Sequence, residues 1–209
     1  MSDALDEDLV WRRIESQAIL SQARNARGSA RDAFIRAGVA LLYAHWEGYT
    51  KNALGCYLRF VSRRKLRLSE MSVAFAGMAA DHAARSDIGL NESGRRVAVA
   101  RLLIEGAAER VSIPNREVNT QGNLNSDLCR ELFNSFDLDF SLFATKDRLI
   151  DYNLLRVRND VAHGRWSVIS LESYEELHTE VLIMLETVRS IVVSAVDNSL
   201  YRRVVPSGG

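Results

Sequence analysis

The chain has 209 residues, 47% hydrophobic and 26% charged, which excludes wholesale disorder. A chain of this size buries roughly 70% of its unfolded surface without a disulfide or metal staple. Its 27 cations balance 27 carboxylates, so net charge argues for no nucleic-acid partner.

Arginine supplies 24 of the cations, a bias that either genome composition or phosphate recognition explains. Only Pro114 and Pro206 break the chain, which favours long helices. Cys56 and Cys129 form no C-x-x-C pair, as fits a reducing cytoplasm. The acidic N-terminus lacks an apolar segment, so no signal peptide is expected. The longest apolar stretch, around residues 39–44, is too short to cross a membrane.

Leu9, Arg13, Ser16, Leu20 and Ala23 predict a first helix over about 6–27. Gly28-Ser29 breaks it, and Ser29 with Asp32 resembles an acidic capping box for a second helix over 30–65. The basic end of that helix holds Arg59, Arg63, Arg64 and Lys65, with Arg67 just beyond. It reads either as solvated cations suited to the helix dipole or as a phosphate-binding patch. Arg63 and Arg64 are its candidate substrate contacts.

Residues 68–86 are expected to be helical, 87–94 a loop and 95–111 an amphipathic helix. A loop over 112–125 contains Pro114, and Ser126 or Asp127 then caps a short helix through 136. A helix over 147–163 ends at Gly164, followed by an extended piece over 166–169. Ser173 with Glu176 forms a capping box for a last helix through 197. The tail 198–209 is expected to be disordered. No repeat or linker interrupts the pattern, so one all-α domain over 1–209 is expected, with a core from about 10 to 197.

The chemistry concentrates in R-V-R-N-D-V-A-H-G, residues 156–164. A bare R-x4-H spacing is expected about 0.5 times by chance; requiring Asn, Asp or His after the arginine lowers this to about 0.06. Histidine is the side-chain type suited to moving protons at neutral pH, and His163 supplies one, while Arg158 offers a bidentate cation to a phosphate. Together they meet the needs of metal-free RNA cleavage, in which a 2′-hydroxyl attacks the adjacent phosphate. Asn159, four residues before His163, shares its helix face, and Arg156 shares it at seven. Arg158 and His163 stand about 140° apart around a helix, so they converge only if the helix ends near His163 or if two copies meet. The structural alternative makes Arg158 and Asp160 a solvated face and His163 a helix-end cation.

A second cluster comprises His45, Trp46 and Glu47. Trp46 reads as packing, and Glu47 as a partner for an arginine such as Arg158. His82 and His178 read as surface residues. No H-E-x-x-H, phosphate loop, Ser/His/Asp set or acidic cluster appears, so no metal site or cofactor is expected.

The segment R-N-D-V-A-H resembles the R-(N/D/H)-x3-H signature of the HEPN superfamily. Residues 43–52, Y-A-H-W-E-G-Y-T-K-N, also resemble a helix of stand-alone bacterial HEPN-like nucleases, as does Asn123-Leu124-Asn125 leading into a short helix. The resemblance covers roughly residues 10–195 and is sharp only at the R-N-x3-H element. It implies a HEPN-like helical bundle with long antiparallel helices and extra helices inserted in the middle. It implies a metal-independent endoribonuclease, a toxin or phage-defence effector, with Arg158 and His163 catalytic and Asn159 and Asp160 supporting. Arg156, Arg165 and Glu47 join Arg63 and Arg64 as candidate substrate contacts. The implied partners are RNA, a second copy completing a composite site, and an antitoxin or defence-system protein, in the cytoplasm and away from membranes. The alternative is a non-catalytic HEPN-like module that binds RNA, nucleotide or protein.

Overall fold

Only Ala26 and Arg27 separate the first helix, α1 (Ser2–Asn25), from the second, α2 (Gly28–Arg63), and so short a link makes them antiparallel neighbours. The last helix, α7 (Leu171–Asp197), packs on both. Arg24 meets Glu175, Arg13 meets Glu186 and Asp6 meets Arg189, so α7 runs antiparallel to α1. Gly38 faces Tyr174 and Phe60 faces Tyr201, so α7 runs parallel to α2. The long connection between them makes this possible, because it returns the chain to the end where α2 began. A Cβ on Gly38 would stand 2.1 Å from the Tyr174 hydroxyl, so glycine is what lets these helices approach.

The computed structural model describes residues 1–86, 89–113 and 117–204; among them it shows seven α-helices and no strand. Pro114, Pro206 and part of the 87–94 loop lie outside the described residues. The connection carries the four inserted helices, α3 (Val73–Ser86), α4 (Glu92–Glu105), α5 (Ser126–Ser135) and α6 (Val157–Ala162). A π-helical stretch, Leu149–Arg156, runs directly into α6. Among the described residues no helix is long and apolar enough to cross a membrane.

Several helix ends differ from expectation for local reasons. The α2 helix begins at Gly28 without a side-chain cap, so Ser29 and Asp32 do not box it. Residues 68–86 split into a 3₁₀ turn at Leu68–Glu70 and then α3. The helix expected over 95–111 starts earlier, because the Asn91 carboxamide accepts the Gly94 amide, and stops at Glu105. It buries no residue and leaves Val97, Leu103 and Ile104 exposed. Asn125, not Ser126 or Asp127, caps α5, and Ser170, not Ser173, caps α7. The tail is tied down as far as Arg203. Tyr201 is buried, its carbonyl accepts the Ser72 amide at 2.9 Å, and the Arg203 amide donates to the Glu70 carbonyl.

His178 is buried on α7 rather than exposed, and His45 is buried on α2. An Arg12 guanidinium nitrogen lies 3.3 Å from His45 Nδ1. Arginine can only donate, which places the His45 proton on Nε2, 3.3 Å from the Glu15 carboxylate. Burial, then the neighbouring Arg12 charge, pulls the His45 pKa down to about 4, although Asp8 opposes this. Burial and then Arg24 lower that of His178. A depressed imidazole binds its proton more weakly folded than unfolded, so its contribution to stability is complete above about pH 6.5. That contribution fades as pH falls toward 4. The melting temperature of the wild type is therefore expected to drop more steeply between pH 6.5 and 4 than that of His45→Gln, as calorimetry across that range would measure.

Candidate active site

The motif helix is fixed from three sides. Ile150 and Leu154 in its π-helical part are buried in the core. The Asp151 carboxylate accepts both the Ser126 amide (2.8 Å) and the Ser126 hydroxyl (2.7 Å), clamping the start of α5 to this stretch. After the motif, Arg36 on α2 stacks over Trp166 at 5.2 Å and donates to the Arg165 carbonyl at 3.2 Å.

The end of α6 is closed by Gly164, as expected. With φ of +67° it turns the chain into the left-handed region that glycine tolerates. The Gly164 amide donates to the Val161 carbonyl and the Arg165 amide to that of Asp160. His163 caps the C-terminal end of the helix, its own amide bonded to the Asn159 carbonyl at 3.0 Å. Its side chain is exposed and makes no hydrogen bond or ion pair among the described residues.

Arg158 is held quite differently. Its guanidinium lies over the Tyr43 ring at 4.6 Å, donates to the Gly122 carbonyl and to the Asn159 side chain at 2.8 Å each, and stands 4.0 Å from the Glu47 carboxylate. Such stacking on an aromatic face suits arginine better than lysine. Glu47 is held in turn by the Thr120 hydroxyl at 2.6 Å, and the Tyr43 hydroxyl accepts the Leu124 amide at 2.7 Å. Burial, and secondarily the Glu47 charge, raise the Tyr43 phenol above its ordinary pKa, so it stays neutral. Tyr43 and Glu47 lie four residues apart on one face of α2 and form a ring-and-carboxylate seat for Arg158.

The sequence candidates therefore divide. Arg158, Asn159 and Glu47 come together, with His163 at the nearby helix end. Arg156 and Asp160 instead line an open cleft of about 690 Å³ with Arg148 and Tyr152, and His163 is not in its lining. Arg156 thus sides with Asp160, four residues away, rather than with His163. Arg165 is exposed and reaches Asp160 at 3.7 Å. Arg63 and Arg64 are not brought to the motif. They lie at least 16 residues beyond Glu47 on α2, about 24 Å along its axis at 1.5 Å per residue.

Thr120 and Gly122, which hold Glu47 and Arg158, carried no signal in the sequence. Their loop turns through left-handed Gln121 and Gly122, and only the Gln-Gly pair hinted at a turn. Among the described residues no group of three or more His, Cys, Asp or Glu side chains is placed to hold a metal ion.

The chain matches the family described as MAE_28990-like HEPN over residues 1–201. No curated protein and no solved structure gives a significant match.

Proposed function

The chain belongs to the HEPN family, whose domains are typically RNases, and we propose that it is itself a metal-independent endoribonuclease. The observation that carries this reading is the contrast within the motif: a seated guanidinium at Arg158 and, five residues on at the helix end, an exposed imidazole free of hydrogen bonds and ion pairs among the described residues. His163 takes the proton of an RNA 2′-hydroxyl or returns one to the leaving 5′-oxygen. The 2′-oxygen–phosphorus bond forms as the phosphorus–5′-oxygen bond breaks. The products are a 2′,3′-cyclic phosphate and a 5′-hydroxyl end. Arg158 neutralises the charge that gathers on the phosphate oxygens, with Asn159 and Asp160 supporting.

The site is shared between two copies of the chain, so that one protomer's His163 faces its partner's motif. Exposed Tyr152, Trp166 and Val168 beside the motif helix offer apolar surface for that contact. The setting is a toxin or phage-defence system in the cytoplasm, restrained by an antitoxin or other partner protein.

A second reading has its own support. Arg158 already spends donors on Gly122 and Asn159, as a structural arginine would, and this favours a non-catalytic module that binds RNA, nucleotide or protein.

The two readings separate on one experiment. Protein kept in excess chelator is incubated with mixed single-stranded RNA and with tRNA, and the product ends are mapped. Cyclic phosphate ends are expected. Intact RNA, or 3′-hydroxyl ends, would overturn the nuclease reading.

A further inference from the structure

The far end of α2 carries exposed Arg59, Arg63 and Arg64, followed by exposed Lys65 and Arg67. Packing adds three more exposed arginines to the same end. Arg110 pairs with Arg67 in an isolated antiparallel bridge and donates to the Lys65 carbonyl. Arg202 pairs likewise with Met71, and Arg203 follows it onto the Glu70 carbonyl. Phe60 links the two groups: Arg64 stacks on it at 4.5 Å, and its ring meets Tyr201 at 5.8 Å. The carboxylates among these segments are Glu70, whose side chain accepts the Arg67 amide, and Glu109. Among the described residues none of the eight cations forms an ion pair. By contrast Arg12, Arg13, Arg24 and Arg189 on α1 and α7 are all paired. Like charges gathered without ion pairs repel, and although the acidic start of α1 lies close by, in a chain of zero net charge they leave a local positive field for an anionic partner.

The surface here is concave. Arg59, Arg63 and Arg64 line a cleft of about 470 Å³ with Cys56 and Phe60, closed on its other side by Met1 and Ala4 at the start of α1. A second groove of about 350 Å³ runs over Gly48, Asn52 and Gly55, is bounded by the Lys51–Glu117 ion pair, and shares Arg59 with the first. The pair thus traces α2 from Gly48, the residue after Glu47, to the arginine-rich end.

We infer that this end of α2 is a second RNA-binding site, which grips the phosphate backbone of a single strand running along the α2 groove from the Arg158 seat. A cleft accepts a strand better than the plane of a bilayer. Continuity with the motif favours the polymer that the motif cuts over an acidic protein. The inference rests on the ribonuclease reading only in its choice of polymer.

The test is binding of a labelled 20-nucleotide single-stranded RNA across a salt series, by the full chain and by R59Q/R63Q/R64Q. A second variant, R110Q/R202Q, guards against misfolding of the first, and thermal melts of both are compared with the wild type. Each lost phosphate contact removes about 0.7 from the slope of log affinity against log salt. The triple variant is expected to lose about 2 from that slope and at least tenfold in affinity at low salt. Unchanged 20-mer affinity and slope in both variants would overturn the inference. So would equally tight binding of a poly-glutamate peptide, which would mark an acidic-protein site. Failure of cleavage is read separately: a wild type that binds through these arginines without cutting removes the nuclease reading and leaves this site standing.

Discussion

RNA cleavage by His163→Ala is expected to fall by about 10²- to 10⁴-fold, the range for removing a positioned acid–base group. The substitution is a clean probe because the imidazole is exposed and makes no hydrogen bond or ion pair among the described residues. Stability is accordingly expected to stay within about 0.5 kcal/mol of the wild type. A loss of cleavage at unchanged melting temperature thus reports chemistry rather than folding. Equal cleavage by both proteins would take His163 out of the mechanism. Arg158→Ala cannot be read so simply, since it would also uncover the Tyr43 ring and remove the cation facing Glu47.

Trp46→Ala is expected to cost about 3–5 kcal/mol in chemical denaturation, as large aromatic deletions from a core do. Trp46 is completely buried and packs on Phe143 at 5.7 Å, joining α2 to the cluster of Phe133, Phe140 and Phe143. Its indole N–H has no hydrogen-bond partner among the described residues, so Trp46→Phe removes an unsatisfied donor along with some volume. The phenylalanine variant is therefore expected to lose clearly less than the alanine variant. A cost below about 1 kcal/mol for alanine would mean that Trp46 does not anchor the core.

What the sequence made legible was the long-range skeleton. Helical spacing located all three long helices to within a few residues at most ends, because a broad apolar face must repeat with the helix period. Gly164 marked the end of the motif helix because few other residues accept a positive φ there. Glu47 was legible as an arginine's partner, being a carboxylate amid apolar neighbours. The errors arose where short polar side chains compete for the same amides. Asn125 stands one residue before the expected cap, and Ser170 three residues before. His178 was misread because it stands isolated from any motif in sequence but turns toward α1 in space, close to Arg24. The seat of Arg158 was the least visible part. Its pieces come from residues 43, 47, 120 and 122, and periodicity says nothing about which loop carbonyl a guanidinium will reach. The π-helical stretch before the motif had no local signature either.

The glycine clasp after the motif has an entropic consequence. Hydrogen bonds from residues 163, 164 and 165 immobilise the main chain on either side of the imidazole. Only two side-chain torsions therefore remain to be frozen when a scissile phosphodiester arrives, a cost of about 1 kcal/mol rather than that of ordering a whole loop. Most of the disorder that would otherwise slow the encounter has already been removed during folding.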